Sequence, residues 1–125
     1  MNYSIHLDEK KIGITELEKA DAAMGVVFGE ISFIDDSFDY SYFSNYCKRN
    51  SIKVDEYAED KFISTQNISR LKVYNDSEIE IKGIGAYVAG MDSKGFEVNI
   101  LGIPYPFYEK EFPKHIKEYN EICFV

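Results

Sequence analysis

The sequence predicts an α+β fold: a twisted, mostly antiparallel β-sheet with two or three helices packed on it. Three observations predict it. Alternation in Tyr3-Ser4-Ile5-His6-Leu7, and again in residues 96–101, marks half-buried strands. Phe38, Tyr42, Phe43, Tyr46 and Cys47 recur at helical spacing and form one apolar stripe. Glycines and prolines cut the chain into short elements and bend its last third into a terminal helix.

Taken in order, residues 3–17 read as a hairpin. The strand 3–7 leads into the charged turn Asp8-Glu9-Lys10-Lys11, and Ile12, Ile14 and Leu17 resume the alternation. Residues 18–23 lack a strand pattern and read as a connection. Residues 24–34 read as one strand, with Ile31 and Phe33 on one face and Glu30 and Ser32 on the other. Gly25 and Gly29 predict a bulge or a close backbone approach there. A phosphate loop would need a Lys-Ser/Thr ending that this run lacks. Asp35-Asp36-Ser37 supplies the expected N-cap of a helix over 38–49, and Lys48-Arg49-Asn50 suits its C-terminus.

Ile52 and Val54 alternate with charges, and residues 70–75 read as a strand. Residues 55–60 carry four acids around Tyr57 and Ala58 without a clear element. Ile79 and Ile81, set against Glu78, Glu80 and Lys82, predict a further strand. Gly83 and Gly85 bend it into a more buried strand over 86–89. Asp92-Ser93-Lys94-Gly95 then turns the chain into Phe96, Val98 and Ile100 to close a hairpin. Pro104 and Pro106 end that strand. Pro113 suits a first helical turn, and Phe112, Ile116, Tyr119 and Cys123 form the terminal stripe. Phe107 and Phe112 are the expected aromatic anchors of this corner.

A chain of 125 residues suits a single domain over 1–125. It is long enough to bury roughly two-thirds of its unfolded surface without staples. Acids outnumber bases 22 to 14, for a formal net charge of −8. Such a balance disfavours nucleic acid as a ligand and suits a basic protein partner, or serves solubility alone. The N-terminus lacks a basic start followed by an apolar run, and no stretch approaches a membrane span, so a cytoplasmic protein without a membrane partner is expected. Cys47 and Cys123 form no CxxC pair and both fall on apolar stripes, where inert buried thiols are expected; no metal or other cofactor is implied. His6 and His115 lie apart, without a nucleophile-elbow context, so no catalytic residue is assigned and a non-enzyme is expected.

The residues that invite a functional reading are acids beside tyrosines. Asp35, Asp36 and Asp39 form one run next to Tyr40 and Tyr42. Asp55, Glu56, Glu59 and Asp60 form another around Tyr57. Residues 30–60 hold eight acids against three bases. These carboxylates can be solvated or capping groups, a cation site, or phosphate-like contacts for a partner's Lys and Arg. The tyrosines have the composition of interface anchors. An exposed strand edge is a separate route to a partner, by β-augmentation.

The segments MGVVFGEISF from residue 24 and LGIPYPFYEKEFPKHIKEY from residue 101, with the opening YSIHL, resemble those of small bacterial immunity proteins. Those proteins accompany the toxins of contact-dependent growth inhibition and related polymorphic toxin systems. The resemblance covers about half of the chain, and its motifs are structural rather than catalytic. It implies a cytoplasmic inhibitor that binds the C-terminal domain of a cognate toxin and blocks its active site or substrate surface. A nuclease target, with its basic cleft, would account for the charge of −8. The rival expectation is a small ligand-binding domain or enzyme with a pocket between sheet and helix.

Overall fold

The computed structural model describes residues 2–123. The expected contribution of the Cys123 side chain to the terminal stripe lies outside the described residues. Ten strands and three helices follow one another: β1 (Tyr3–Leu7), β2 (Lys10–Thr15), β3 (Lys19–Asp21), β4 (Val26–Glu30), β5 (Ser32–Phe33), α1 (Tyr40–Arg49), β6 (Val54–Tyr57), β7 (Phe62–Thr65), β8 (Leu71–Tyr74), β9 (Gly85–Met91), β10 (Gly95–Leu101), α2 (Phe107–Glu111) and α3 (Pro113–Cys123). The fold is α+β, as expected, but the strands divide between two sheets. One has the order β5-β2-β1-β8 and the other β3-β4-β10-β9-β7-β6. Every pairing between named strands is antiparallel.

The 24–34 run is therefore two strands rather than one. Val26–Glu30 pairs with β3 and β10, and Ser32–Phe33 pairs with β2 in the other sheet. The chain changes sheets at Ile31, whose amide donates to the Phe96 carbonyl at 2.9 Å. Residues 18–23 hold a strand and a 3-10 turn, not a plain connection. All three residues of β3 are exposed, so backbone pairing with β4 makes this strand, and no apolar alternation announces it. Residues 78–82 fail to form the expected strand. Tyr74 and Glu80 make one bridge, Ile81 is buried and Ile79 is 51% exposed.

The first hairpin forms as expected, with a shift of register between Ile5 and His6 that leaves Ile12 as the extra residue. Ile12 turns into the core, and Ile14 sits opposite Ser4 instead of joining it. Buried side chains from both sheets and from α1 and α2 belong to one core. On α1 the buried stripe is Phe43, Tyr46 and Cys47, and the Cys47 thiol is pushed up by burial, as an inert thiol should be. Phe38 precedes the helix and stacks on Phe33 at 5.7 Å.

The helix starts at Tyr40, and its cap is Asp39 rather than Asp35-Asp36-Ser37. The Asp39 carboxylate accepts from the Tyr42 amide at 2.9 Å. Asp35 instead accepts from the Ser37 amide and hydroxyl in a local turn, and these bonds hold its carboxyl below the usual range. Asp39→Ala should therefore cost about 1 kcal/mol, whereas Asp35→Ala should leave the helix intact. Urea unfolding of both variants tests this order.

Three buried tyrosines tie distant elements together. Tyr3 donates to Glu111 at 3.0 Å, Tyr46 to Asp8 at 3.0 Å and Tyr108 to the Val26 carbonyl at 3.0 Å. Burial raises the pKa of all three, helped by Glu111 at Tyr3, by Asp8 at Tyr46 and by the nearby Tyr105 and Asp21 at Tyr108; Tyr46 is pushed up to about 12. Each phenol holds its proton more tightly folded than unfolded. Their stabilisation is complete below about pH 10, the unfolded value, and is lost as pH rises through the folded values. Stability should fall steeply from pH 10 towards 12. Urea unfolding across that range, with tyrosinate absorbance followed in parallel, measures it.

Candidate protein-binding surface

Members of both acid runs, Asp39 and Glu56, come together at the N-terminal end of α1. The Tyr40 amide donates to Asp92 Oδ1 at 2.8 Å, which brings the β9–β10 turn against the start of the helix. The Tyr40 hydroxyl donates to Glu56 Oε2 at 2.9 Å, and Ser44 donates to the same oxygen at 3.0 Å. The Asp92 amide in turn donates to the Lys61 carbonyl at 3.3 Å, next to Glu59 and Asp60. One end of the molecule thus gathers Asp39, Tyr40, Glu56, the 3-10 turn Ala58–Asp60 and Asp92. Lys61 and Lys94 are the cations beside them. The basic residues Lys48 and Arg49 lie at the other end of α1, so the side chains compensate the helix dipole, acids at its positive end and bases at its negative end.

The nine residues singled out in the sequence fall into three groups. Asp39, Tyr40 and Glu56 take part in internal bonds, and the Glu56 hydrogen bond raises the Tyr40 pKa. Asp35 is exposed but held by Ser37. Asp36, Asp55, Tyr57, Glu59 and Asp60 are exposed, and Tyr57 is 65% exposed with its ring against Phe62 at 5.7 Å. These five have the freedom to meet a partner. Asp92 was read only as a turn residue, and nothing local signals its reach to α1, 52 positions away.

Residues 55–60 form the outermost strand and turn of the six-stranded sheet. Lys53 accepts from the Gln66 amide at 3.0 Å, so antiparallel alternation turns the backbone N–H and C=O of Val54 and Glu56 outward. No strand among the described residues pairs with that edge. Asp55 and Glu56 on it oppose indiscriminate pairing, as charges on edge strands do.

A groove of about 610 Å³ lies over β1 and β8, on the other sheet. Ser4, His6, Arg70, Lys72 and Tyr74 line it with Glu9 and Glu78. His6 Nε2 is 3.3 Å from Ser4 Oγ, and burial, followed by Lys11, lowers the His6 pKa. Arg70 pairs with Asp8 at 2.6 Å and Lys72 with Glu80 at 3.8 Å, so the cations in the groove already have counter-charges. His115 is buried and donates from Nε2 to the Leu17 carbonyl at 2.8 Å, a structural role.

No group of three or more His, Cys, Asp or Glu among the described residues is placed to hold a metal ion. No helix among them is long and apolar enough to cross a membrane. The chain matches no protein-family model, no curated protein and no solved structure.

Proposed function

We propose that the chain is a non-catalytic immunity protein. It acts in the cytoplasm and neutralises the C-terminal domain of a cognate toxin, a nuclease with a basic substrate cleft, by covering the active site or substrate surface. The observation that carries this reading is the meeting of Asp39, Glu56 and Asp92 at one end of α1, beside the exposed Glu59 and Asp60, in a chain of net charge −8. Such an end attracts a basic face over distance and raises its encounter rate. The likeness of residues 3–7, 24–33 and 101–119 to immunity proteins supplies the biological setting.

Co-expression tests the reading. The chain should restore growth to cells that express the C-terminal domain of the protein encoded immediately upstream. Failure to protect, together with no binding in titration calorimetry, overturns it. The Asp36→Lys, Asp55→Lys, Glu59→Lys and Asp60→Lys variant should associate about 10–100-fold more slowly at low salt. An unchanged rate and salt dependence would remove the acid runs from the site. Glu56 is left intact in this variant because it bonds Tyr40 and Ser44.

The groove over β1 and β8 favours a second reading, a small-ligand site, through the convergence of Ser4, His6, Lys72 and Tyr74. A small molecule that raises the unfolding temperature of the chain, and fails to do so for His6→Ala, would support it.

A further inference from the structure

Alternation divides each strand of the six-stranded sheet between two faces. One face carries Val27, Ile63, Val88, Phe96, Val98 and Ile100, all of them in the core. The register places Phe28, Tyr57, Phe62, Tyr87, Met91 and Leu101 on the opposite face. Tyr57 is exposed and the other five are half-buried. None of the six is among the partly buried side chains that pack on the core. The helices lie elsewhere. Helix α1 packs against β7 on the core side, where Tyr40 and Ser44 reach Glu56, and α3 packs on the 22–24 turn. Among the described residues, a sheet face rich in large apolar groups is thus left without a covering layer, although sheets commonly pair a buried face with a polar one.

Its border is acidic. Asp21 and Glu30, on β3 and β4, stand on one side and Asp55 on the other, while Glu97 on β10 lies inside the face, in a row with Ser64 and Ala89 that separates Phe62 and Met91 from Phe28 and Tyr87. The Lys19 ammonium on this face bonds Glu97 at 2.7 Å and lies 5.8 Å from the centre of the Phe28 ring, so its charge is already met. Lys94 adds one cation at the turn end, beside a shallow hollow of about 450 Å³ over Phe62 and Met91.

We propose that this open face of the six-stranded sheet is the surface that seats the partner, a protein face with an apolar centre ringed by Lys and Arg. The inference rests on the reading of the chain as an inhibitor of a basic domain, and divides the work within it. The acidic end of α1 speeds encounter; the open face supplies residence time through desolvated aromatic anchors. The dimensions fit a protein. The six strands, of three to seven residues each, at about 3.4 Å per residue and about 4.8 Å apart span roughly 500 Å² before side-chain relief, a large part of the ~800 Å² of one side of a standard interface. A second copy fits poorly, because a two-fold contact would set Asp21, Glu30, Asp55 and Glu97 of both copies near one another.

The probe is the purified, catalytically inactivated C-terminal domain of the upstream-encoded protein. Phe28→Lys and Tyr87→Lys, each on the uncovered face, should keep the wild-type unfolding midpoint and weaken binding on the order of 100-fold, mainly through faster dissociation. A readout on the unaltered chain accompanies them: peroxide oxidation of Met91 should slow several-fold in the complex. Wild-type binding with undiminished affinity in both variants and no protection of Met91 overturns the surface and leaves the function standing. No binding by the wild-type chain overturns both. A dimer of the chain alone that Tyr87→Lys converts to monomer assigns the face to a second copy and overturns the partner.

Discussion

Replacing Tyr108 by alanine is expected to destabilise the fold by about 3–5 kcal/mol, the range for truncating a fully buried aromatic side chain. Tyr108 is 0% exposed and is among the largest fully buried side chains. Its ring lies 5.3 Å from Phe112 and 5.2 Å from Tyr105, and its hydroxyl donates to Val26 in β4. The residue therefore pins the short helix α2 to the start of a central strand, and its loss leaves both a cavity and a missing donor. Tyr108→Phe isolates the second effect and should cost about 1 kcal/mol. The sequence pointed instead to Phe107 and Phe112. Phe112 is buried, but Phe107 is half-buried, so Phe107→Ala should cost distinctly less than Tyr108→Ala. Urea unfolding of the series tests the order. Equal losses at 107 and 108 would contradict the assignment of Tyr108 as the anchor.

Phe43→Ala should be comparably damaging, at about 3–5 kcal/mol. Phe43 is 0% exposed and meets Phe33 at 5.9 Å, Phe96 at 5.6 Å and Tyr42 at 5.3 Å. Phe33 belongs to one sheet, Phe96 to the other and Phe43 to α1, so one cluster joins all three layers. Because the rings share contacts, Phe43→Ala and Phe96→Ala together should cost less than the sum of the single losses. A double-mutant cycle reads this coupling directly. Additive losses would mean that α1 and β10 are stabilised independently.

Much of the local structure was legible. The alternation of residues 3–7 and 96–101 became β1 and β10, and Pro113 opens α3 as the first-turn preference predicts. The stripe of α1 was read correctly at Phe43, Tyr46 and Cys47, although its cap was placed two to four residues too early, at Asp35-Asp36-Ser37 rather than Asp39. Asp35, Asp36, Ser37 and Asp39 are all plausible caps by residue type, and only the backbone path shows that Asp39 meets the Tyr42 amide. β3 was invisible because its side chains are exposed and its partner supplies the order. The strand expected at 78–82 failed for the opposite reason: its alternation is present, but pairing stops at a single bridge.

The candidate surface was legible only in part. Acid runs are visible as sequence, and Asp36, Asp55, Tyr57, Glu59 and Asp60 are indeed exposed. That Glu56 and Tyr40 face each other depends on the packing of α1, which no local pattern encodes.

The open sheet face was harder still, since Val26–Val27–Phe28 and Tyr87–Val88–Ala89 are apolar on both sides of the strand. By itself, then, the sequence determined where those strands and helices form that carry a clear side-chain period, such as β1, β10 and α1, because the period and turn chemistry act along a few residues. It also determined the acidic balance, which is a sum over residues. Tertiary structure alone decided which strands adjoin, which acids meet and which apolar face stays in water. Those outcomes depend on contacts between segments tens of residues apart, and on which of two similar faces α1 happens to cover.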